Sequence, residues 1–459
     1  MQVFGFLSIT FSLLSFVTPF LFPFDTRKGI SPFRIETREI RVQYPPSNDP
    51  LLQKINGFYG LIGPDIDTNS INSLYELFTG DGMIQGIFFD NGKMTFVKHF
   101  VRTEKLLFES IHGRFSKNIM MTPIYVLLHK MGCLPNVLGL ANTALFPIDN
   151  HVFALFERDY PYQIHIDYKN KKLSTIKKVV IPGIPHFSGH SKYDRQTIHT
   201  IDYDVLYNTI CYIRLNRIFG ELSKTVIPTK YIPILHDFAL LPQEKGILYI
   251  DAPFVWDFAP LFRKNPVPVK FDVTKPAYIC LYDTTTKIRR QIPYKTPFYI
   301  FHYAYLEEVG ENIDVYAPLY DKLDFSSLQI EGKYRKIRIG ADGKVVITKN
   351  AFLENMNLDF PQKWGKYVVL RSIDNFAIKG FVVCKGLDII RKIRMPSNRF
   401  FCGEPSIIEI DGAPYLVGFS YDSDKNGYVN IIGIFNDKYV EQCLGHKVTI
   451  GFHSVVGEP

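Results

Sequence analysis

The chain has 459 residues, of which 46% are hydrophobic and 21% charged, an ordinary balance for a globular protein with a large core. Its formal net charge is +8, but the lysines lie in short runs such as residues 168–178, which argues against a nucleic-acid-binding surface. The cysteines have no CxxC pair, so they predict reduced thiols in a cytosol-like compartment and neither a zinc site nor a disulfide scaffold. They are Cys133, Cys211, Cys280, Cys384, Cys402 and Cys443.

Residues 1–24 (MQVFGFLSITFSLLSFVTPFLFPF) form a hydrophobic segment without a charged side chain. The segment is long enough to span a bilayer, which takes ~20 residues, but it contains Pro19 and Pro23 and lacks both a basic start and a small-residue cleavage site. If it spans, Arg27 and Lys28 place the rest of the chain on the cytoplasmic side. A membrane anchor, a signal peptide and a hydrophobic lead-in packed on the fold all stay open. We expect a cytoplasmic, membrane-associated protein.

From residue 25 onward, short apolar runs alternate with turn signals about every 8–12 residues, which is typical of a sandwich, barrel or propeller. The dipeptide Asn91-Gly92 predicts a tight turn with positive φ. No Gly/Ser-rich or Pro-rich linker follows residue 30, so residues 25–459 are predicted to form one large β domain. Hairpins are predicted at residues 82–102, 151–168, 231–250, 333–350 and 413–435.

One segment, residues 118–141 (NIMMTPIYVLLHKMGCLPNVLGLA), departs from this pattern because it is unusually apolar and contains two prolines. It makes a poor strand pair and predicts a short helix followed by a loop. On a propeller, such a segment would cap the interior or dip into a membrane. A simple insertion that packs on the core is the equal alternative.

Four histidines share one kind of sequence context: each follows an apolar or small-residue stretch at the end of a predicted strand. His236 is typical, because it lies in the first of two strands predicted within YIPILHDFALLPQEKGILYI, residues 231–250. A lone histidine there is more simply a hydrogen-bonded core residue. The gaps between the four are too long for a local metal motif, so only a radial fold could bring them to one axis. They are His190, His236, His302 and His453.

From about Gly57 to the carboxyl end, the chain resembles the carotenoid cleavage oxygenases. Several stretches are similar to the family's motifs and occur in the family's order, which is more specific than any one of them. They are GDGMIQGIFFDNGKMTFVKHFVRT (residues 80–103), ANTALFPIDNHVFALFE (141–157), HSKYD (190–194), HDFALL (236–241), FHYAYLEE (301–308), LDFPQ (358–362), GEPSII (403–408) and GFHS (451–454).

The resemblance implies an all-β fold, a seven-bladed propeller with an apolar helical or loop cap over an axial iron site. It also implies a non-haem Fe(2+) held by the four histidines named above, with carboxylates that accept the far imidazole N–H groups. By match these carboxylates are Glu157, Asp359 and Glu404, and His190 has no such partner. Thr143 matches a threonine that lies beside the vacant iron position in the family.

The implied activity is that of an iron(II) dioxygenase that cleaves a conjugated C=C bond of a carotenoid or apocarotenoid with O2 and gives carbonyl products. The expected partners are an apolar polyene, O2 and a membrane surface. A stilbene substrate, the isomerohydrolase reaction on a retinyl ester, and a non-enzymatic propeller scaffold are the alternatives. Retention of all four histidines argues against the scaffold.

The chain also departs from the family pattern at several matched positions. Asp359 stands where the family has Glu, and a side chain shorter by one methylene could lengthen or rewire one hydrogen bond to an imidazole. Tyr305, Gln85, Ser191 and Ser454 replace Asn, His, Pro and Gly, respectively. None of these changes removes a proposed metal ligand, and together they indicate a divergent member.

Overall fold

The computed structural model describes residues 39–66, 73–116, 121–184, 186–194, 196–258, 268–374 and 377–459. The hydrophobic residues 1–24 lie outside them, so the anchor prediction is untested. The chain separates into a smaller unit, residues 1–39 with 102–140, and a larger unit, residues 40–101 with 141–459. The prediction of one domain over residues 25–459 therefore stays a prediction.

The larger unit is mostly β and consists of antiparallel sheets. Sheet I has the order β1-β4-β3-β2-β32 and contains β1 (Ile40–Tyr44), β2 (Asn56–Asp65), β3 (Asp81–Asp90), β4 (Lys93–Phe100) and β32 (Ser454–Gly457). Sheet II contains β5 (Ala144–Ile148), β6 (His151–Leu155), β7 (Tyr162–Asp167) and β8 (Lys172–Lys178). Sheet III contains β9 (Lys192–Asp194), β10 (Thr197–Asp204), β11 (Thr209–Asn216) and β12 (Glu221–Pro228).

Sheets IV and V follow along the chain, with a small two-stranded sheet between them in sequence. Sheet IV has the order β13-β14-β17-β18, and the small sheet pairs β15 with β16. These strands are β13 (Ala239–Leu240), β14 (Gly246–Asp251), β15 (Phe254–Trp256), β16 (Val269–Phe271), β17 (Ala277–Asp283) and β18 (Arg289–Tyr294). Sheet V contains β19 (Tyr305–Val309), β20 (Asn312–Leu319), β21 (Lys333–Ile339) and β22 (Val345–Thr348).

Sheet VI has nine strands, which form two antiparallel runs bridged by β27 (Phe400–Phe401). Run VIa contains β23 (Asn357–Trp364), β24 (Tyr367–Asp374), β25 (Ala377–Lys385) and β26 (Asp388–Arg394). Run VIb contains β28 (Ser406–Ile410), β29 (Ala413–Tyr421), β30 (Gly427–Gly433) and β31 (Tyr439–Cys443). Two short helices also belong to the larger unit, α1 (Leu74–Phe78) and α4 (Ala351–Glu354).

The smaller unit holds α2 (Glu104–His112) and α3 (Thr122–Lys130). The Thr103 side chain caps α2 by accepting a hydrogen bond from the Leu106 amide. Phe115, Tyr125 and Val137 form its buried core. Helix α3 confirms the helix expected within residues 118–141, whereas α2 was not predicted.

Four of the five predicted hairpins are confirmed, as the β3–β4, β6–β7, β21–β22 and β29–β30 pairs. In the first, Asn91 and Gly92 have φ of 49° and 85°, the positive values that this tight turn requires. The fifth, at residues 231–250, is wrong in its first half, because strand structure there is limited to the two residues of β13. Pro233 has no N–H for a ladder, and the Ile234 amide donates to the Ile232 carbonyl in a local turn.

The cores between sheets follow the order of the chain. One apolar cluster joins sheets I and II, and others join II with III, III with IV, IV with V, V with run VIa, and VIa with VIb. A further cluster joins run VIb back to sheet I through Tyr59, Phe96, Val417 and Phe419. Sheets I to V and runs VIa and VIb form seven groups of strands. In every group except sheet I, the first strand along the chain is an edge strand, which pairs with only one neighbour. In sheet I, the last strand along the chain is such an edge strand. These edge strands are β5, β9, β13, β19, β23, β28 and β32.

Candidate metal centre

The four predicted histidines all lie immediately before an edge strand, each in a different sheet. His190 precedes β9, His236 precedes β13, His302 precedes β19 and His453 precedes β32. The expectation that they end strands is therefore wrong: they lie in the irregular segments that lead into one. A residue outside the ladder is not bound to the two-residue alternation of a strand, so its side chain can turn toward the other sheets.

The structure brings these four histidines together. One ring nitrogen from each lies within 4.8 Å of the others, and the Nε2 atoms of His190 and His236 are 2.8 Å apart. The Nε2 of His302 is buried and has no hydrogen-bond partner among the described residues. Buried polar atoms are normally paired, and an imidazole nitrogen is a common ligand of iron and other transition metals. The donor set therefore fits a metal ion at the centre of the cluster.

Three carboxylates hold the outer nitrogens of three of these rings. The Nδ1 of His236 lies 2.9 Å from Glu157 Oε1, that of His302 lies 2.9 Å from Asp359 Oδ1, and that of His453 lies 3.3 Å from Glu404 Oε1. In the described chain, His190 has no carboxylate at hydrogen-bond distance, so the structure has the predicted three pairs and the predicted exception. A carboxylate at Nδ1 fixes the tautomer and turns Nε2 toward the cluster.

The contacts within the pairs favour ionised carboxylates. Burial alone would raise the pKa of Glu157 and Glu404, but the contacts with His236 and His453 lower each pKa below its usual value. The same balance at His302 lowers the pKa of Asp359 to about 2. Burial lowers the pKa of His190 and of His302. A neutral ring that donates its Nδ1–H to such a carboxylate keeps a lone pair on Nε2, where it can bind a metal.

Asp359 is held by a contact that the sequence did not reveal. The Tyr320 hydroxyl donates a 2.6 Å hydrogen bond to Asp359 Oδ2, while Oδ1 faces His302. The pairing of β23 with β24 shifts register after Asp359, and the next residue, Phe360, has φ of 53°. Asp359 therefore lies at a bulge in its own strand and has a partner for each carboxylate oxygen.

We expect Tyr320→Phe to lower the free energy of unfolding by about 1–3 kcal/mol, because it leaves a buried carboxylate oxygen without its donor. Tyr334→Phe is the matched control, since the Tyr334 hydroxyl is buried without a hydrogen-bond partner in the described chain. Removal of that hydroxyl should be neutral or stabilising. Urea denaturation of both variants measures the difference, and equal effects would show that the Tyr320 hydrogen bond contributes nothing.

A cavity of about 300 Å³ opens beside the cluster. His236, His302 and His453 line it, and most of its remaining wall is apolar or aromatic. Thr143 also lines it, with its hydroxyl 3.4 Å from Glu157 Oε2. Thr143 also lies against Gly189, where a Cβ would be 2.7 Å from the Thr143 methyl, so Gly189 leaves room for this methyl group.

Among the residues of this cavity wall that the sequence did not indicate are Tyr320, Phe360 and Arg371. The Phe360 ring packs on His302 and His453, with centroids 4.5 and 4.8 Å away. The Arg371 guanidinium lies over the Phe360 ring, with its Cζ atom 3.7 Å from the ring centroid. Only the strand register places Arg371 opposite Asp359, and no local sequence signal indicates it.

Residues 53–376 match the family model described as RPE65, retinal pigment epithelial membrane protein. The chain belongs to the RPE65 family. The chain is also similar, at low identity, to curated plant proteins. The "Carotenoid 9,10(9',10')-cleavage dioxygenase 1" of Arabidopsis thaliana is 29% identical over 52% of this chain and 47% of that protein. The protein of the same name from Phaseolus vulgaris is 26% identical over 72% of this chain and 67% of its own length. This RPE65-family chain thus spans about half to two thirds of these relatives.

Solved structures share the fold of this RPE65-family chain. A variant of the Synechocystis apocarotenoid oxygenase superposes with a TM-score of 0.75 at 18% identity, covering 92% of this chain and 96% of the other. A chimera of that oxygenase with RPE65 gives 0.74, also at 18% identity and with the same coverage. At this identity the likeness concerns the fold alone.

Proposed function

We propose that this protein is an iron(II)-dependent oxygenase that cleaves a conjugated C=C bond of a carotenoid or apocarotenoid with O2. The observation that carries the proposal is the four-histidine cluster with three carboxylate partners at the wall of an apolar cavity. Family membership and the plant relatives support the substrate class. Ferrous iron, when bound, supplies the activation of dioxygen.

We also infer that the larger unit is a seven-bladed propeller. Counting runs VIa and VIb separately, each group of strands shares an apolar core with the next, and run VIb shares one with sheet I. Each group also has one polar residue of the site in its edge strand or shortly before it: Thr143, His190, His236, His302, Asp359, Glu404 or His453. A radial arrangement accounts for both regularities, because it turns one edge of every blade toward a common axis.

In this proposal, the side chains of the protein position the metal and the substrate, exclude water from the site and select the substrate. The imidazoles present neutral nitrogen donors, and the carboxylates balance the metal charge from outside the donor set. The cavity holds an extended apolar substrate against the cluster, which gives the proximity that a reaction between bound groups requires. The aromatic wall, including Phe301 and Tyr299, excludes water from the reacting bond.

The test combines metal content with product analysis. The iron-loaded protein should convert one or more polyenes of a carotenoid and apocarotenoid panel into carbonyl products under air and not under argon. Stilbene cleavage to aromatic aldehydes, or release of an alcohol from a retinyl ester without C–C cleavage, would replace the proposed substrate with an alternative one. Absence of iron binding together with absence of any turnover would favour the scaffold.

We further propose that the protein acts at a membrane surface, since polyenes partition into bilayers. Among the described residues, no helix is both long and apolar enough to cross a membrane. Helices α2 and α3 and the turn that follows nevertheless expose several large apolar side chains, which suit interfacial binding. They are Leu107, Ile111, Ile124, Leu127 and Met131.

Two variants separate the two candidate membrane contacts. One is a deletion of residues 1–24, and the other is the double substitution Leu127→Glu with Met131→Glu. We expect the double substitution to reduce co-sedimentation with phosphatidylcholine liposomes, because charged side chains resist burial among the acyl chains. Leu206→Glu with Tyr207→Glu is the matched control at exposed apolar positions in the larger unit. If only the deletion reduces binding, the segment 1–24 is the anchor, and the helical surface is not.

A further inference from the structure

Arg371 is a partly buried cation that the site does not otherwise employ. It lies on β24, directly opposite Asp359 in the β23 register, and it lines the cavity. Yet no carboxylate of the described chain lies within ion-pair distance of it, and its Nε is buried without a hydrogen-bond partner. The two oxygens of Asp359 are already engaged by His302 and Tyr320.

Arg214 and Arg289 also have a buried Nε without a hydrogen-bond partner among the described residues, but of these three arginines only Arg371 lines the cavity. Arginines that have acceptors form a contrast to it. Arg335 forms two-point contacts with both Asp321 and Glu354 at 2.6–2.8 Å. Arg158, also in the cavity wall, donates to the Tyr203 carbonyl at 3.1 Å. A desolvated guanidinium without an acceptor is costly to keep. Five N–H donors and no acceptor function make it suited to an oxygen supplied from outside the protein.

The charges around the cavity indicate which kind of oxygen that is. Glu157, Asp359 and Glu404 contribute three negative charges, and a divalent cation at the histidines together with Arg371 offsets them. Arg158 faces Asp202 at 4.0 Å and Lys192 pairs with Asp237 at 2.6 Å, so neither leaves a further positive charge. An anionic ligand would add an uncompensated charge, whereas a neutral acceptor would not.

We propose that Arg371 is a specificity-determining residue that donates hydrogen bonds to a neutral carbonyl or hydroxyl oxygen on the polyene substrate. This inference rests on the proposed function and narrows it: the preferred substrate is an oxygenated apocarotenoid rather than a hydrocarbon carotene. The Phe360 ring supports the assignment, because it contacts both the Arg371 guanidinium and the rings of His302 and His453. The oxygen would thus be bound one aromatic ring away from the histidine cluster.

The test uses four polyenes of equal chain length that end in an aldehyde, an alcohol, a carboxylic acid or a hydrocarbon. We expect the parent protein to bind the aldehyde or the alcohol about tenfold or more tightly than the hydrocarbon, as a hydrogen bond from a charged donor allows. The visible absorption of the bound aldehyde should shift to longer wavelength, because a cationic donor polarises the conjugated carbonyl. Arg371→Met should abolish both the preference and the shift, and Arg371→Lys should retain part of each.

Arg290→Met is the matched control, because Arg290 is exposed and contacts only the Gly340 and Ala341 carbonyls. It should keep the preference and the shift. If the parent binds the polyenes without a preference, prefers the acid, or keeps its selectivity in Arg371→Met, the assignment to Arg371 is overturned while the proposed function stands. If the parent neither binds nor cleaves any polyene, the proposed function fails first. Where Arg371→Met does not fold, the binding preference of the parent protein and the absorption shift of its bound aldehyde still test the proposal.

Discussion

His236→Ala should lose most of the iron that we expect the parent protein to bind, about one ion per chain. Removal of this ring deletes one of four converging nitrogen donors and also strips Glu157 of the imidazole that lies 2.9 Å away. Loss of an outer carboxylate partner alone typically lowers metal affinity 10–100-fold, so loss of the donor itself should lower it by at least about 100-fold. Metal analysis after desalting, followed by titration with ferrous iron under argon, measures the change.

His165→Ala is the control for this experiment, because His165 is an exposed residue of β7 outside the cluster. It should bind iron like the parent. Circular dichroism of both variants shows whether the fold is retained. Full iron occupancy in folded His236→Ala would mean that His236 is a hydrogen-bonded core residue and that the metal, if any, is held elsewhere.

Asp359→Asn should reduce iron affinity about 10–100-fold. The amide keeps the shape of the side chain but loses the negative charge that would balance the metal and that accepts the hydrogen bond from the His302 Nδ1–H. The amide nitrogen can also face Nδ1–H or the Tyr320 hydroxyl, where two donors would oppose each other. Ferrous iron titration of the variant beside the parent measures the loss. If Asp359→Asn binds iron as tightly as the parent protein, the prediction is wrong, and Glu157 and Glu404 alone balance the charge of the metal.

Asp359→Glu tests whether the bulge after this residue has adapted to the shorter side chain. From the sequence alone, restoration of the family's Glu is expected to be tolerated or mildly activating. The structure changes that expectation, because Asp359 is 3% exposed and lies between His302 and the Tyr320 hydroxyl. An added methylene in such a site typically costs about 1–3 kcal/mol.

The double variant Asp359→Glu with Tyr320→Phe separates crowding from charge. It frees the space of one hydroxyl oxygen, so its iron affinity should lie closer to that of the parent than the affinity of Asp359→Glu alone. If Asp359→Glu already binds iron like the parent, the site is not crowded, and the bulge is unrelated to the side chain's length.

Features with a local cause were predictable from the sequence. The β3–β4 turn follows from Asn91-Gly92, whose φ values the structure confirms. The four histidines and three carboxylates were indicated by motifs that keep a fixed order, and the structure brings each of them to the cluster or its edge. The irregular segment before β13 was misassigned, because a run of apolar residues resembles a strand even where Pro233 prevents ladder pairing.

The residue types of the candidate site follow from the sequence alone, because the imidazole and carboxylate groups belong to the side chains themselves. Only the tertiary structure decided how they are paired. Asp359 meets His302 across 57 positions of the chain and Tyr320 across 39, and Arg371 reaches the cavity through the register of two strands. Such contacts depend on how strand edges and sheet faces converge in space, and that convergence is set by packing between sheets rather than by any local pattern along the chain.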